Sequence, residues 1–136
     1  MAISTATILS GVTLTAAAEM QTNPTQSDQS AKTWKRFTLQ ALFTNPSTAS
    51  AQNRMLRLWY AVTNETLTAG AAGTLAEQLR AVARPLEITL PKAALRVAVY
   101  VSPPIDFAGG YITVWTDHEA WDKSVVLTTL KAVEVL

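Results

Sequence analysis

Along much of this chain apolar and polar residues alternate with a period of two. WKRFTLQALFT, 34–44, sets Phe37, Leu39, Ala41 and Phe43 against Thr38, Gln40 and Thr44. A strand with one buried face and one wet face reads this way. RMLRLWYAV, 54–62, places Leu56, Leu58, Tyr60 and Val62 on one side and Arg57 and Trp59 on the other. PLEITLP, 85–91, is predicted to turn Leu86, Ile88 and Leu90 inward, and ALRVAVYVS, 94–102, to turn Leu95, Val97, Val99 and Val101 inward. YITVWTD, 111–117, sends Ile112 and Val114 one way and Tyr111, Thr113 and Trp115 the other. A first strand is predicted over 8–18, with Val12, Leu14 and Ala16 opposed to Thr13 and Thr15, and with Gly11 marking a bulge or bend. The last strand lies in 124–136, and its alternation slips at Thr128 and Thr129, as at a bulge.

The connections are rich in turn formers. QTNPTQSDQSAK, 21–32, and NPSTASAQN, 45–53, are predicted loops, and SPPIDFAGG, 102–110, is a long turn. TLAEQLRAVARP breaks the alternation. Thr74 and Glu77 have capping-box spacing, Leu75, Leu79 and Val82 share a helical stripe, and Pro85 forbids continuation. The spacing predicts a helix over 74–84, about ten residues and marginal without packing partners; an irregular crossover is the alternative. Seven or eight short strands and one helix predict an all-β chain, an antiparallel β-sandwich or jelly-roll-like fold with one short helix. Residues 1–136 form one domain on this reading, with 1–33 an N-terminal arm plus first strand.

Composition sharpens the picture. Hydrophobic residues make up 49%, against disorder, while charged residues reach only 15%, below the roughly 25% of ordinary domains. About one residue in seven is threonine, which covers part of the surface; partner subunits are expected to cover more. A net charge of +1 supplies no field to recruit nucleic acid or an acidic membrane. The absence of cysteine excludes disulfides, Cys-rich zinc sites and thiol catalysis. No apolar run reaches the roughly 18 residues of a membrane helix, and the first residues lack the basic stretch of a signal peptide. A soluble protein with its own N-terminus is expected.

The densest chemistry is WTDHEAWDK, 115–123, with the single histidine. Zinc without cysteine usually asks for more than one histidine, and no EF-hand glycine accompanies Asp117, Glu119 and Asp122 for calcium. A triad would need His118, yet no serine sits in G-x-S-x-G, and no P-loop or dinucleotide fingerprint occurs. The stretch reads as a decorated turn, and no enzyme, metal or cofactor is expected. Lys32, Lys35 and Arg36 around Trp34, with Arg54 and Arg57, could form a basic aromatic patch, but edge protection is the better reading. No specific nucleic acid and no membrane are expected as partners.

FTLQALFTNPSTAS, RLWYAVT, RVAVYVSPPIDFAGGYITVWTD and the C-terminal VVLTTLKAVEVL resemble small β-rich virion proteins of tailed bacteriophages, of the capsid decoration or cement type. The resemblance covers most of the chain from about residue 34 and carries no catalytic residue. It implies a jelly-roll-like subunit, often a trimer, on the capsid surface, whose partners are the major capsid protein or other virion proteins. Such a role needs exposed anchors, and the aromatic candidates are Trp34, Trp59, Phe107, Tyr111 and Trp121. The alternative is a lectin-like or receptor-binding module on a tail or baseplate, with Trp115 or Trp121 in a groove beside Asp117 and Asp122.

Overall fold

Strand formation follows the alternation. A computed structural model describes residues 3–16, 20–67, 75–94 and 97–136. In chain order its elements are β1 (Thr5–Leu14), β2 (Met20–Gln21), β3 (Thr25–Asp28), β4 (Arg36–Thr44), β5 (Arg54–Thr63), α1 (Leu75–Leu79), β6 (Arg84–Leu90), β7 (Val97–Val101), β8 (Ile105–Asp106), β9 (Tyr111–His118) and β10 (Val125–Val135). In β4 the predicted inward residues Phe37, Leu39, Ala41 and Phe43 are all buried.

Every pairing is antiparallel. One sheet runs β1-β10-β4-β7, with β8 also on β4; the other runs β2-β9-β5-β6, with β3 also on β9. With β2/β3 and β7/β8 each taken as one interrupted strand, the first strand pairs with the last, the second with the next to last, and so on inward to β5 with β6. That is a long hairpin rolled on itself, the jelly roll, in which two antiparallel sheets face each other.

The main core lies between the sheets. Leu14, Phe37, Leu39, Phe43, Leu56, Leu58, Ile88, Leu90, Ile112, Val114, Val125, Leu127, Leu130 and Ala132 are buried there. A second, smaller cluster lies on the far side of the β9 sheet, where Ala76, Leu79 and Ala83 of the β5–β6 crossover pack on Trp115 and Ala61. That cover explains why β9 is buried along its length from Ile112 to His118: one face meets the opposite sheet and the other meets the crossover.

Several expectations change. Residues 21–32 are not all loop: β2 and β3 pair with β9, and their Thr, Gln and Ser side chains suffice because the pair forms a sheet edge. The first strand starts at Thr5 and stops at Leu14, and residues 17–18 of the expected strand lie outside the described residues. The helix spans five residues instead of about ten. The main-chain N–H groups of Val82 and Ala83 both turn back to the carbonyl of Leu79, and Val82, expected on the buried stripe, is 65% exposed. Thr74 of the expected capping box lies outside the described residues. The slip in β10 is present as a register shift between Leu127 and Thr129 against β4. Across from it Gly11 takes φ 65°, between the Ser10–Thr129 and Val12–Leu127 partners.

The largest correction concerns β7. Val97, Val99 and Val101 point outward and are 52%, 67% and 53% exposed. The register forces this: Ala98 and Tyr100 lie opposite Phe43 and Ala41, so they share the inner face, and the valines share the outer face with Thr44, Leu42 and Gln40. Leu95 lies outside the described residues.

Candidate functional site

The stretch 115–123 is a structural lock. His118 ends β9, its Nε2 lies 2.9 Å from the Thr15 carbonyl, and its ring stacks on Trp121 at 3.6 Å between centroids. Trp121 belongs to the main core and is buried. Arg54 lies 5.7 Å from the Trp121 ring and is 2% exposed. Its Nη1 donates to the carbonyls of Lys123 and Ser124, each at 3.0 Å, and its Nη2 donates to Asn45 Oδ1 at 2.6 Å. Asn45 Nδ2 in turn donates to the carbonyls of Pro91 and Ala93. Asp122 accepts from the Ser50 hydroxyl at 2.6 Å and from the Ala51 N–H at 2.7 Å. Three connections at one end of the roll are thereby tied together. Burial pulls the Arg54 guanidinium below its usual range, while nearby Asp122 works in the opposite sense.

Asp117 is the second node. Its register partner Arg57 donates from Nε to Oδ1 at 2.8 Å, and Trp59 Nε1 donates to Oδ2 at 3.2 Å. Arg80, from the crossover, stands 3.6 Å from the same oxygen. Both arginines flank the Trp59 ring, at 6.0 and 5.3 Å, and Trp59 stacks on buried Trp115 with the planes 5° apart. Hydrogen bonding to Asp117 raises the Arg57 pKa further. A cavity of about 210 Å³ beside this node is lined by Arg57, Glu87, Asp117, His118 and Glu119. Its carboxylate at Asp117 is already engaged by two cations and an indole. Among the described residues no group of three or more His, Asp or Glu side chains could hold a metal ion.

The anchor candidates fall differently from expectation. Trp34 and Trp121 are buried, at 6% and 7% exposure, so neither is an exposed anchor. Trp34 packs with Phe37 and Phe107, and Lys32 lies over its ring. Phe107, Trp59 and Tyr111 are half-buried. The basic aromatic patch is not assembled either, because Arg54 is inside and Arg57 is committed to Asp117.

The surface that stands out is the one the alternation assigned to the core. On the outer face of the β4 sheet, the rows Val126–Thr44–Val97 and Thr129–Leu42–Val99 run across three strands without a charge; a third row, through Gln40 to Val101, begins at Lys131. The outer face of the other sheet carries the crossover. The hint in the sequence was β7 itself, VAVYV, which is apolar on both faces and therefore has one apolar face too many for an edge strand.

No family model matches this chain, and no curated protein matches it. Among solved structures it is similar to a Bacillus thuringiensis Cry1Da tryptic core variant, with a TM-score of 0.53 and 11% identity over 90% of this chain. The match takes in 18% of that longer chain, and at this identity it is a likeness of fold.

Proposed function

We propose that this chain is a structural virion subunit, of the kind that decorates a capsid shell and stabilises it through many copies of a modest protein–protein contact. The carrying observation is the valine face of β7, which lies in solvent beside Leu42 and Val126 while the opposite sheet is covered by its own crossover. An exposed apolar patch of this sort marks an interaction surface. A standard specific contact buries about 800 Å² per partner, and repetition over many copies multiplies weak contacts into firm attachment. The partner on this reading is the major capsid protein or another virion protein, and the subunit is a homo-oligomer.

Jelly rolls also serve as lectin domains, so the tail-associated, sugar-binding reading shares the fold. It loses its platform here. Trp115 is fully buried, Trp121 lies in the core, and Trp59 is held between Trp115 and two arginines. The test is immunogold labelling of purified particles from the source of this sequence. Label over the capsids is expected. Label confined to tails would favour the alternative, and particles free of label would remove both.

A further inference from the structure

We propose that two copies of this chain pair through the open edge of β7, in an antiparallel ladder centred on Val99. The proposal concerns the isolated chain and does not rest on a virion location.

The sheet edges are not alike. Natural edges are guarded by charge, proline or irregularity. β6 exposes Arg84, Pro85 and Glu87. β1 is broken by a register shift between Thr7 and Leu9 and by the positive φ of Gly11. β2 and β3 are separated by a stretch that includes Pro24. The β7–β8 edge is itself interrupted by Ser102, Pro103 and Pro104 and carries Asp106 in β8, but its β7 part has neither charge nor proline from Val97 to Val101, and among the described residues nothing pairs with its far side.

The backbone of β7 is directed for pairing. The Ser102 N–H donates to the Leu39 carbonyl at 2.9 Å, in the same register that sets Tyr100 opposite Ala41 and Ala98 opposite Phe43. Antiparallel ladders alternate. The main-chain groups of Ala98 and Tyr100 therefore face β4, and those of Val97, Val99 and Val101 face the open side. A ladder centred on Val99 sets Val97 against Val101 of the second copy and Val99 against its own counterpart. Every open N–H and C=O between Val97 and Val101 is then used. A slip of two residues leaves groups unpaired at each end. The two-fold axis stands perpendicular to the sheet, so the valines of both copies fall on one outer face, flanked by Leu42 from each.

Charge and area point to a second copy and to a reversible pair. On a two-fold axis the central side chain meets its own kind, and like charges set opposite are destabilising; β7 is neutral throughout. Five residues at about 3.4 Å each give a contact only ~17 Å long, and even at about 10 Å across the edge this is far less than the roughly 800 Å² per partner of a standard interface. Association is accordingly concentration-dependent.

Light scattering of the purified protein over a wide concentration series should show the molar mass rising towards twice that of the chain. Val99→Lys should remove the rise with an unchanged melting temperature, and Thr89→Lys on the β6 edge should leave it intact. The chain has no cysteine, so single thiols report the register. A short bifunctional thiol reagent should join copies of Val99→Cys, and should join Val97→Cys to Val101→Cys in a mixture, but not Val97→Cys to itself. A monomer at every concentration, a trimer, or equal joining of Val97→Cys and Val99→Cys copies overturns the pairing. A trimer would leave the virion proposal standing, whereas particles without label would leave the pairing standing, so the two fail separately.

Discussion

Trp121 shows how far a residue's setting departs from its local sequence. It sits among Glu119, Ala120, Asp122 and Lys123, which is the company of a surface turn, yet it is buried against His118 and Arg54. Truncating a buried aromatic costs about 3–5 kcal/mol. Trp121→Ala should therefore lower the melting temperature of the isolated chain by roughly 10 °C or more; an unchanged melt would place the side chain outside the core. Its neighbour Asp122 makes a pH-dependent contribution. The Ser50 hydroxyl, and then the Ala51 N–H, hold its carboxyl below the usual carboxylate range. A carboxyl depressed in the folded state stabilises fully above its unfolded pKa of about 4 and loses that contribution as pH falls through the folded value. Asp122→Asn should thus be less stable than the parent at pH 6, with the difference shrinking as pH drops below about 4. Paired thermal melts from pH 6 to pH 2 measure this directly, and a constant difference would mean the contacts do not depend on ionisation.

At the scale of elements, alternation was legible wherever one face was plainly polar. β4 and β5 carry threonine, glutamine or arginine on the outside, and their inward residues follow. β7 has no polar face, so its own residues could not choose between Ala98 with Tyr100 and the three valines; pairing with β4 decided it. Tyr100 then packs on the core, where burial raises its hydroxyl pKa. β3 was missed for the converse reason. Thr25, Gln26 and Ser27 lack an apolar face, and their strand is made by the ladder to β9. The helix was seen but overextended, because the periodicity of 75–82 could not reveal that Arg80 turns to Asp117 and Trp59 while Ala83 is drawn under Trp115. The stretch 115–123 was visible as a cluster of polar and aromatic residues, but the buried arginine packed against it, supplied by β5, came from too far along the chain to be seen.

At the scale of the whole molecule, the roll joins the two ends of the chain. β1 and β10 are partners from Thr5–Val133 to Leu14–Val125, and the Glu134 N–H donates to the Ser4 carbonyl at 2.9 Å. Leu14 is fully buried, and Ala6, Ile8, Leu9 and Val12 pack on the main core. Sequence alone could suggest strands at both ends without indicating that they meet, since pairing across the full length leaves no local trace. The pairing makes a definite prediction. Deleting residues 1–15 removes an entire edge strand, strips one side of β10 of its ladder and exposes Leu127 and Leu130 from the core. A loss of this size exceeds what one strand end can absorb, because natural domains hold only about 5–15 kcal/mol in reserve. The truncated chain should lose its cooperative thermal transition, or melt far below the full-length protein, with amide exchange accelerated first along β10. If residues 1–15 serve only to reach a neighbouring subunit, the truncated chain will instead melt as the full-length protein does. Circular dichroism melts of the two chains at one concentration, with hydrogen exchange read over 125–135, distinguish these outcomes.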